Sequence, residues 1–290
     1  MAVSLSESEK TYIIQNIQDD LRSDGRSCLD YRFIEIETDV ISSCNGSSHV
    51  RLANSDILVG VKVELDEPDP AKPNEGRIRI FVDCSANADP EFEGRGGEDI
   101  ADDISMILGQ AYSSPQCLDL ESLCVIPGQQ VWILYVDIVI LECGGSLLDA
   151  ASMAVKAALF NTKIPSLVIN YETEGRAEID VTEDPFDVKS LDTSNIPCLV
   201  TLCRVGHQFI VDATQEEEEC CVAKLVMAVS ESGTLTAVRK CGPGSLHPES
   251  ILDILETGKE IGIMLNEKVK QKLEIEKSTT HEGKGFSKFE

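Results

Sequence analysis

Apolar residues recur along this chain with two different periods, and the period changes from segment to segment. Ser6, Glu7, Ser8 and Glu9 form a capping-box pattern, in which the Ser6 hydroxyl can accept from a backbone N–H and Glu9 can reach back. Tyr12, Ile13, Ile17 and Leu21 follow at helical spacing and Gly25 offers a left-handed exit, so a helix over 6–24 is predicted. Beyond it the pattern turns to alternation and β-branched runs at 31–38, 49–53, 56–65 and 77–84, which predict strands. Asn45-Gly46 and Asn54-Ser55 mark turns, while 66–76, with three prolines and four acids, reads as an exposed connection. These strands are expected to form an antiparallel meander.

The helical period returns at 98–112, where Ile100, Ile104, Ile107 and Leu108 share a face and acids occupy the first turn. Strands are predicted at 122–126 and 131–143, the second so uniformly apolar that both its faces are expected to be covered. Gly144-Gly145 breaks that run, and 147–160 reads as an Ala-rich helix able to approach its neighbours closely. Short β-like pieces separated by acids fill 164–195, and a lobe boundary is placed near Ser190. A second set of strands at 198–204, 207–212, 223–230 and 235–240, with a hairpin turn at Glu231-Ser232-Gly233, precedes a closing helix at 248–273. Strands followed by a helix, twice over, predict an α+β protein: an N-terminal lobe over 1–190 with its core at about 31–165, a smaller C-terminal lobe over 191–275, and a flexible tail over 276–290 poor in apolar residues.

Charge narrows the functional classes. A formal net charge of −26 repels phosphate backbones, since nucleic-acid affinity comes largely from Lys and Arg displacing counterions, so the chain alone should bind RNA poorly. No stretch approaches the ~20 consecutive apolar residues of a membrane span, and the polar start at 1–10 is no secretory signal, so a soluble intracellular chain is expected. Its eleven cysteines, odd in number and scattered through apolar segments, are expected to be reduced and mostly buried. They show no CxxC spacing, and Cys220-Cys221 lie too close for the usual ligand arrangement, so no metal is predicted. His49, His207, His247 and His281 have no triad-like spacing to a nucleophile and an acid. Gly94-Arg95-Gly96-Gly97 lacks the Lys-Ser/Thr ending of a phosphate-cradling P-loop. The chain offers no cofactor signature.

Several strings in collinear order resemble the RNase PH family from about Asp20 to about Leu265. Leu21-Arg22-Ser23-Asp24-Gly25-Arg26 looks like its opening D-G-R signature, the segment 46–64 like its following strand pair, and 76–86 and 90–97 like the next strand and loop. Trp132-Ile133-Leu134-Tyr135-Val136-Asp137, Leu141-Glu142-Cys143-Gly144-Gly145 and Lys240-Cys241-Gly242-Pro243-Gly244-Ser245-Leu246 are similar to one RNase PH-like ring subunit of the eukaryotic RNA exosome. The resemblance implies the RNase PH fold, a ribosomal protein S5 domain-like βα lobe followed by a smaller βα lobe. It also implies a hetero-oligomeric ring with other RNase PH-like exosome subunits and cap proteins, RNA passing through the assembled complex, and residence in the nucleus, nucleolus and cytoplasm. The processes implied are rRNA maturation, mRNA turnover and RNA surveillance.

Active members of that family phosphorolyse RNA from its 3′ end, which demands a cationic, hydrogen-bonding cradle for phosphate and nearby acids. Here the Gly-Gly turn is followed by Ser146-Leu147-Leu148-Asp149, where leucine cannot donate and Asp149 is expected to repel phosphate. The helix at 106–111 carries no base, and Asn195 stands where active relatives carry an acid before the Pro of Ile196-Pro197. No catalytic residue is assigned, and a structural, non-enzymatic ring subunit is expected; the alternative is an active phosphate-dependent 3′-5′ exoribonuclease of the same fold. Arg95 is the RNA-path candidate, because its loop matches the family segment facing the ring's pore; pairing with Glu93 or Glu98 is the plainer reading. Asp187 and Asp192 read as solvated loop acids, 216–219 as a solvated acidic loop, and Lys156, Lys163 and Arg239-Lys240 as surface charges.

Overall fold

The computed structural model describes residues 5–171, 177–182, 184 and 187–283. Helix α1 (Glu7–Gln18) starts at the predicted box: the Ser6 hydroxyl accepts from Glu9 N, and the Glu9 carboxylate accepts from Ser6 N at 2.7 Å. It ends six residues before the predicted limit of 24. Asp20 takes a left-handed conformation (φ 55°), and its carboxylate accepts from Cys28 N at 2.9 Å, folding the chain back where Leu21 had suggested another helical turn. Leu21 is consequently exposed; Tyr12, within the helix, is exposed too, and Ile17 alone of the predicted face is fully buried.

The first sheet contains β1 (Ile34–Thr38), β2 (Gly46–Leu52), β3 (Ser55–Asp66), β4 (Arg77–Cys84), β5 (Cys124–Ile126) and β6 (Gln130–Glu142). Its order is β1-β2-β3-β6-β4, with β5 paired to the start of β6. The expected antiparallel meander is therefore wrong at one edge, because β6 inserts between β3 and β4 and runs parallel to β4. Helix α2 (Glu98–Tyr112) explains this: parallel neighbours need a crossover, and α2 supplies it, packing Ile104, Ile107 and Leu108 beneath the sheet. The expectation that both faces of β6 are covered holds only for its first half, where Val131 and Ile133 are buried as well. Leu134, Val136, Ile138 and Ile140 are buried on one face, whereas Asp137 and Leu141 on the other are exposed and Tyr135 stacks on the exposed ring of Phe81.

Helix α3 (Leu147–Asn161) occupies the centre of the molecule, buried from Asp149 through Leu159 on every side. Its Ala150, Ala151, Ala154, Ala157 and Ala158 let β2 and β3 approach from one side and the second sheet from the other, so the two lobes share one continuous apolar core. Short strands β7 (Lys163–Pro165) and β10 (Val188–Ser190) pair with each other, as do β8 (Leu167–Tyr171) and β9 (Ala177–Val181). The second sheet comprises β11 (Cys198–Val205), β12 (Gln208–Val211), β13 (Ala223–Val229) and β14 (Leu235–Cys241) in the antiparallel order β12-β11-β13-β14.

A five-residue helix α4 (Gln215–Glu219) stands where a solvated acidic loop was expected, and α5 (Pro248–Gly283) closes the fold. α5 lies so close on β13 that a Cβ at Gly262 would come within 2.5 Å of Val229 Cβ. It runs on through Gly283, into the segment expected to be flexible; residues 284–290 of that tail lie outside the described residues. α1, assigned by order to the N-terminal lobe, packs on the C-terminal one: Ile17 joins Cys203, Val205, Ile210, Ala213 and Cys220 in a separate small cluster. Five of the cysteines are buried and the other six only half-buried, fewer than expected. No described helix is long and apolar enough to cross a membrane.

Candidate functional site

The turn from β6 into α3 is where the two lobes face each other across a cleft of about 300 Å³. Gly145 (φ +90°) and Ser146 (φ +52°) both adopt left-handed backbone there. The backbone N–H of Ser146 faces the cleft, and the N-terminus of α3 adds a partial positive charge at the same point. Glycine is required at 145, because a Cβ would sit 2.4 Å from the Ala213 carbonyl oxygen. The turn is locked from behind: Ser55 Oγ donates to Gly145 O at 2.6 Å, and Arg32 donates to Gly144 O at 2.7 Å and to Gly145 O at 3.1 Å while pairing with Asp212 at 2.6 Å.

The outward N–H of Ser146 is not free. It donates to Glu218 Oε1 at 3.0 Å, and Glu218 Oε2 lies 2.9 Å from Lys224 Nζ. Burial works against the Lys224 charge, but Glu218 beside it outweighs this and raises the ammonium pKa above its ordinary value. The Ser146 hydroxyl is buried and has no partner among the described residues. Leu147 and Leu148 are half-buried against the apolar core and line the cleft. Around it, Asp89, Glu91, Asp103 and Glu219 join Glu218; among the described residues that line the cleft Lys224 is the one cation, and Arg239 sits 3.6 Å from Asp103.

Asp149 does not face this cleft, contrary to its expected role of repelling phosphate there. Lying deeper in the first turn of α3, it is fully buried and accepts from Tyr31 Oη at 2.8 Å, Thr201 N at 3.1 Å and Thr201 Oγ1 at 2.6 Å. Burial pushes its carboxyl up to about 6 against these hydrogen bonds, which favour the ionised form. It ties α3 to β11. Asn195 is exposed in the turn before β11 and does not line the cleft, so the structure does not bring it together with Ser146, Leu147 and Leu148. Asp187 accepts from Ser166 Oγ and Asp192 from Ser194, each held by its own nearby serine. Arg95 is almost fully exposed, 3.9 Å from Glu98.

Three charged groups were misplaced by their local sequence. Lys156, expected at the surface, is buried and donates to Asn266 Oδ1 at 2.7 Å. Glu217, expected in solvent, is buried and accepts from both Arg22 Nε at 2.9 Å and Arg22 Nη2. Glu218 is the group on the Ser146 amide. One signal was available: Thr214-Gln215-Glu216-Glu217 is a capping box, and it forms here with both of its hydrogen bonds. Among the described residues no three His, Cys, Asp or Glu side chains converge as metal ligands would.

Two family models match the chain: 3′ exoribonuclease family, domain 1, over residues 30–165, and domain 2 over 195–261. The chain is 34% identical to the exosome complex component Rrp42 of Thermococcus kodakarensis, an alignment covering 90% of this chain and 93% of that protein. It is 31% identical to a protein of Dictyostelium discoideum described as a putative exosome complex exonuclease RRP42, covering 90% and 95%. Among solved structures, a chain of the Archaeoglobus fulgidus exosome with RNA bound to the active site superposes with a TM-score of 0.76 at 28% identity, covering 90% of this chain and 98% of that one. A chain of an archaeal exosome core gives 0.73 at 27%, covering 91% and 97%.

Proposed function

Because the chain belongs to the RNase PH-type 3′ exoribonuclease family and is similar over nine-tenths of its length to exosome Rrp42 components, we propose that it is a non-catalytic subunit of an exosome ring. In this reading its partners are other RNase PH-like ring subunits and the cap proteins. RNA passes through the assembled channel to a separate nuclease. The chain serves 3′-to-5′ processing and decay, including rRNA maturation, mRNA turnover and RNA surveillance, in the nucleus, nucleolus and cytoplasm.

The observation that carries the absence of chemistry is the state of the α3 turn. A phosphorolytic site needs donors and cations free to receive phosphate and the charge that develops on it. Here the Ser146 amide is bonded to a carboxylate, the lining cation Lys224 is paired with that same carboxylate, and Leu147 and Leu148 follow with nothing to donate from their side chains. The surrounding acids repel an incoming phosphodiester.

Two measurements test this reading. Incubation of the isolated chain with a 5′-labelled oligoribonucleotide and inorganic phosphate is expected to leave the RNA intact, while a tagged copy purified from cells is expected to bring down RNase PH-like subunits in near-equal amounts. Phosphate-dependent shortening by the isolated chain would establish an enzyme instead. Recovery of a lone chain would sink the ring.

A further inference from the structure

We infer that Glu218 is a resident internal anion: its carboxylate occupies an oxyanion seat built by the α3 turn and Lys224, and keeps that seat closed to inorganic phosphate. The seat is recognisable from its parts. Ser146, left-handed after the left-handed Gly145, presents its backbone N–H at the positive end of a fifteen-residue helix. Lys224 supplies a full charge 2.9 Å from the other oxygen of the same carboxylate, so one anion bridges amide and ammonium.

The Ser146 hydroxyl is the independent sign that the seat is shaped for more than a carboxylate. It is buried, lines the same cleft and has no partner among the described residues, although a buried hydroxyl ordinarily finds one. The Glu218 carboxylate sits on Ser146 N and Lys224 Nζ and, among the described residues, neither it nor another group bonds the hydroxyl. A tetrahedral oxyanion has further oxygens to offer, so it can engage amide, ammonium and hydroxyl together.

α4 delivers the plug. The capping box at Thr214 and the Arg22–Glu217 pair fix this short helix against the chain's opening segment, and Glu218, the next residue, is thereby presented to α3. The inference deepens the proposed function and rests on its reading of the α3 turn, but not on assembly: the isolated chain reports on it whether or not a ring forms.

The test is isothermal titration of the full-length chain with inorganic phosphate, at constant ionic strength held with chloride. Wild type is expected to bind weakly or not at all. Glu218→Ala removes the competing charge and leaves Lys224 unpaired, so phosphate should bind at least about tenfold more tightly, a modest return for removing a like charge at this range. Adding Lys224→Met to that variant should abolish the gain. Should the alanine chain not fold, as read by circular dichroism and Trp132 fluorescence, Glu218→Gln keeps the side-chain volume. Its side chain can swing outward, because Glu218 is partly exposed, and a smaller gain over wild type is expected. Folded variants that bind phosphate no more tightly than wild type, wild type binding as tightly as they do, or a gain that survives Lys224→Met would each overturn the inference. RNA shortening should stay absent in every variant, which separates this result from the outcome for the proposed function.

Discussion

Replacing Arg22 with methionine should destabilise the protein far more than its position in an irregular segment suggests. The Arg22 side chain is fully buried and Glu217 is 3% exposed; the guanidinium donates through Nε and Nη2 to the carboxylate and also to the carbonyls of Val211 at 2.9 Å and Asp212 at 2.8 Å. Methionine fills most of the volume but leaves Glu217 as an uncompensated buried charge, a change that costs about 3–5 kcal/mol. For a chain of this size that corresponds to a fall in Tm of roughly 10 °C. Glu217→Met alone strands the guanidinium and removes the α4 cap. In the double variant both charges are gone, and a coupling of about 2–3 kcal/mol should return. Urea unfolding followed by circular dichroism, with Trp132 as the single tryptophan in the buried first lobe, measures all four corners of the cycle. A coupling within error of zero would refute the reasoning, because it would mean that neither charge depends on the other for its solvation.

Three further outcomes follow from the geometry. Asp149 has a folded carboxyl pKa of about 6, raised by burial above its unfolded value, so the native state binds the extra proton between about pH 4 and 6. Through this group stability falls as pH rises across that window, by at most about 1.4 kcal/mol per pH unit, and the wild-type minus Asp149→Asn difference in urea midpoint should show that slope; a flat difference would contradict it. Gly262→Ala should lower stability by about 1–3 kcal/mol despite the better helix former, because its Cβ meets Val229 at 2.5 Å; an unchanged urea midpoint would show that α5 can lift off β13 without strain. Arg95→Glu should leave thermal stability within about 0.5 kcal/mol, since the side chain is 91% exposed, yet reduce RNA crosslinking in a reconstituted ring; undiminished crosslinking would remove Arg95 from the RNA path.

Elements whose boundaries depend on local pattern were legible in the chain. β4 and α2 occupy the predicted residues 77–84 and 98–112, because alternation and a one-faced apolar stripe are properties of short windows. Pairing was less accessible. Nothing within β4 says that its neighbour lies some fifty residues on, although the helix between them is the kind of connection a parallel pair requires. α1 was overextended because Leu21 continues the period while Asp20, whose left-handed backbone ends it, looks like any acid.

The site was legible by composition and illegible by geometry. That Leu147 and Leu148 offer no donor follows from their side chains. That Asp149 turns inward depends on Tyr31 and Thr201, far away in sequence, and that Glu218 reaches the α3 turn depends on a partner 72 residues distant. A run of four glutamates suggests uniform exposure, but in a helix of five residues neighbours point in different directions. Glu217 therefore meets Arg22 while Glu218 meets Ser146 and Lys224.

The docking of α1 on the C-terminal lobe has a temporal consequence. Ile13, Ile14 and Ile17 leave the ribosome roughly two hundred residues before Cys220, the last member of the cluster that shelters them. At about 5–20 residues per second of synthesis, that helix waits on the order of ten to forty seconds with its apolar side uncovered. A nascent chain that stalls or is cut before β13 keeps that surface open to chaperones and proteases. Closure of α1 thus reports that the C-terminal lobe has been made, and only finished molecules hide the signal.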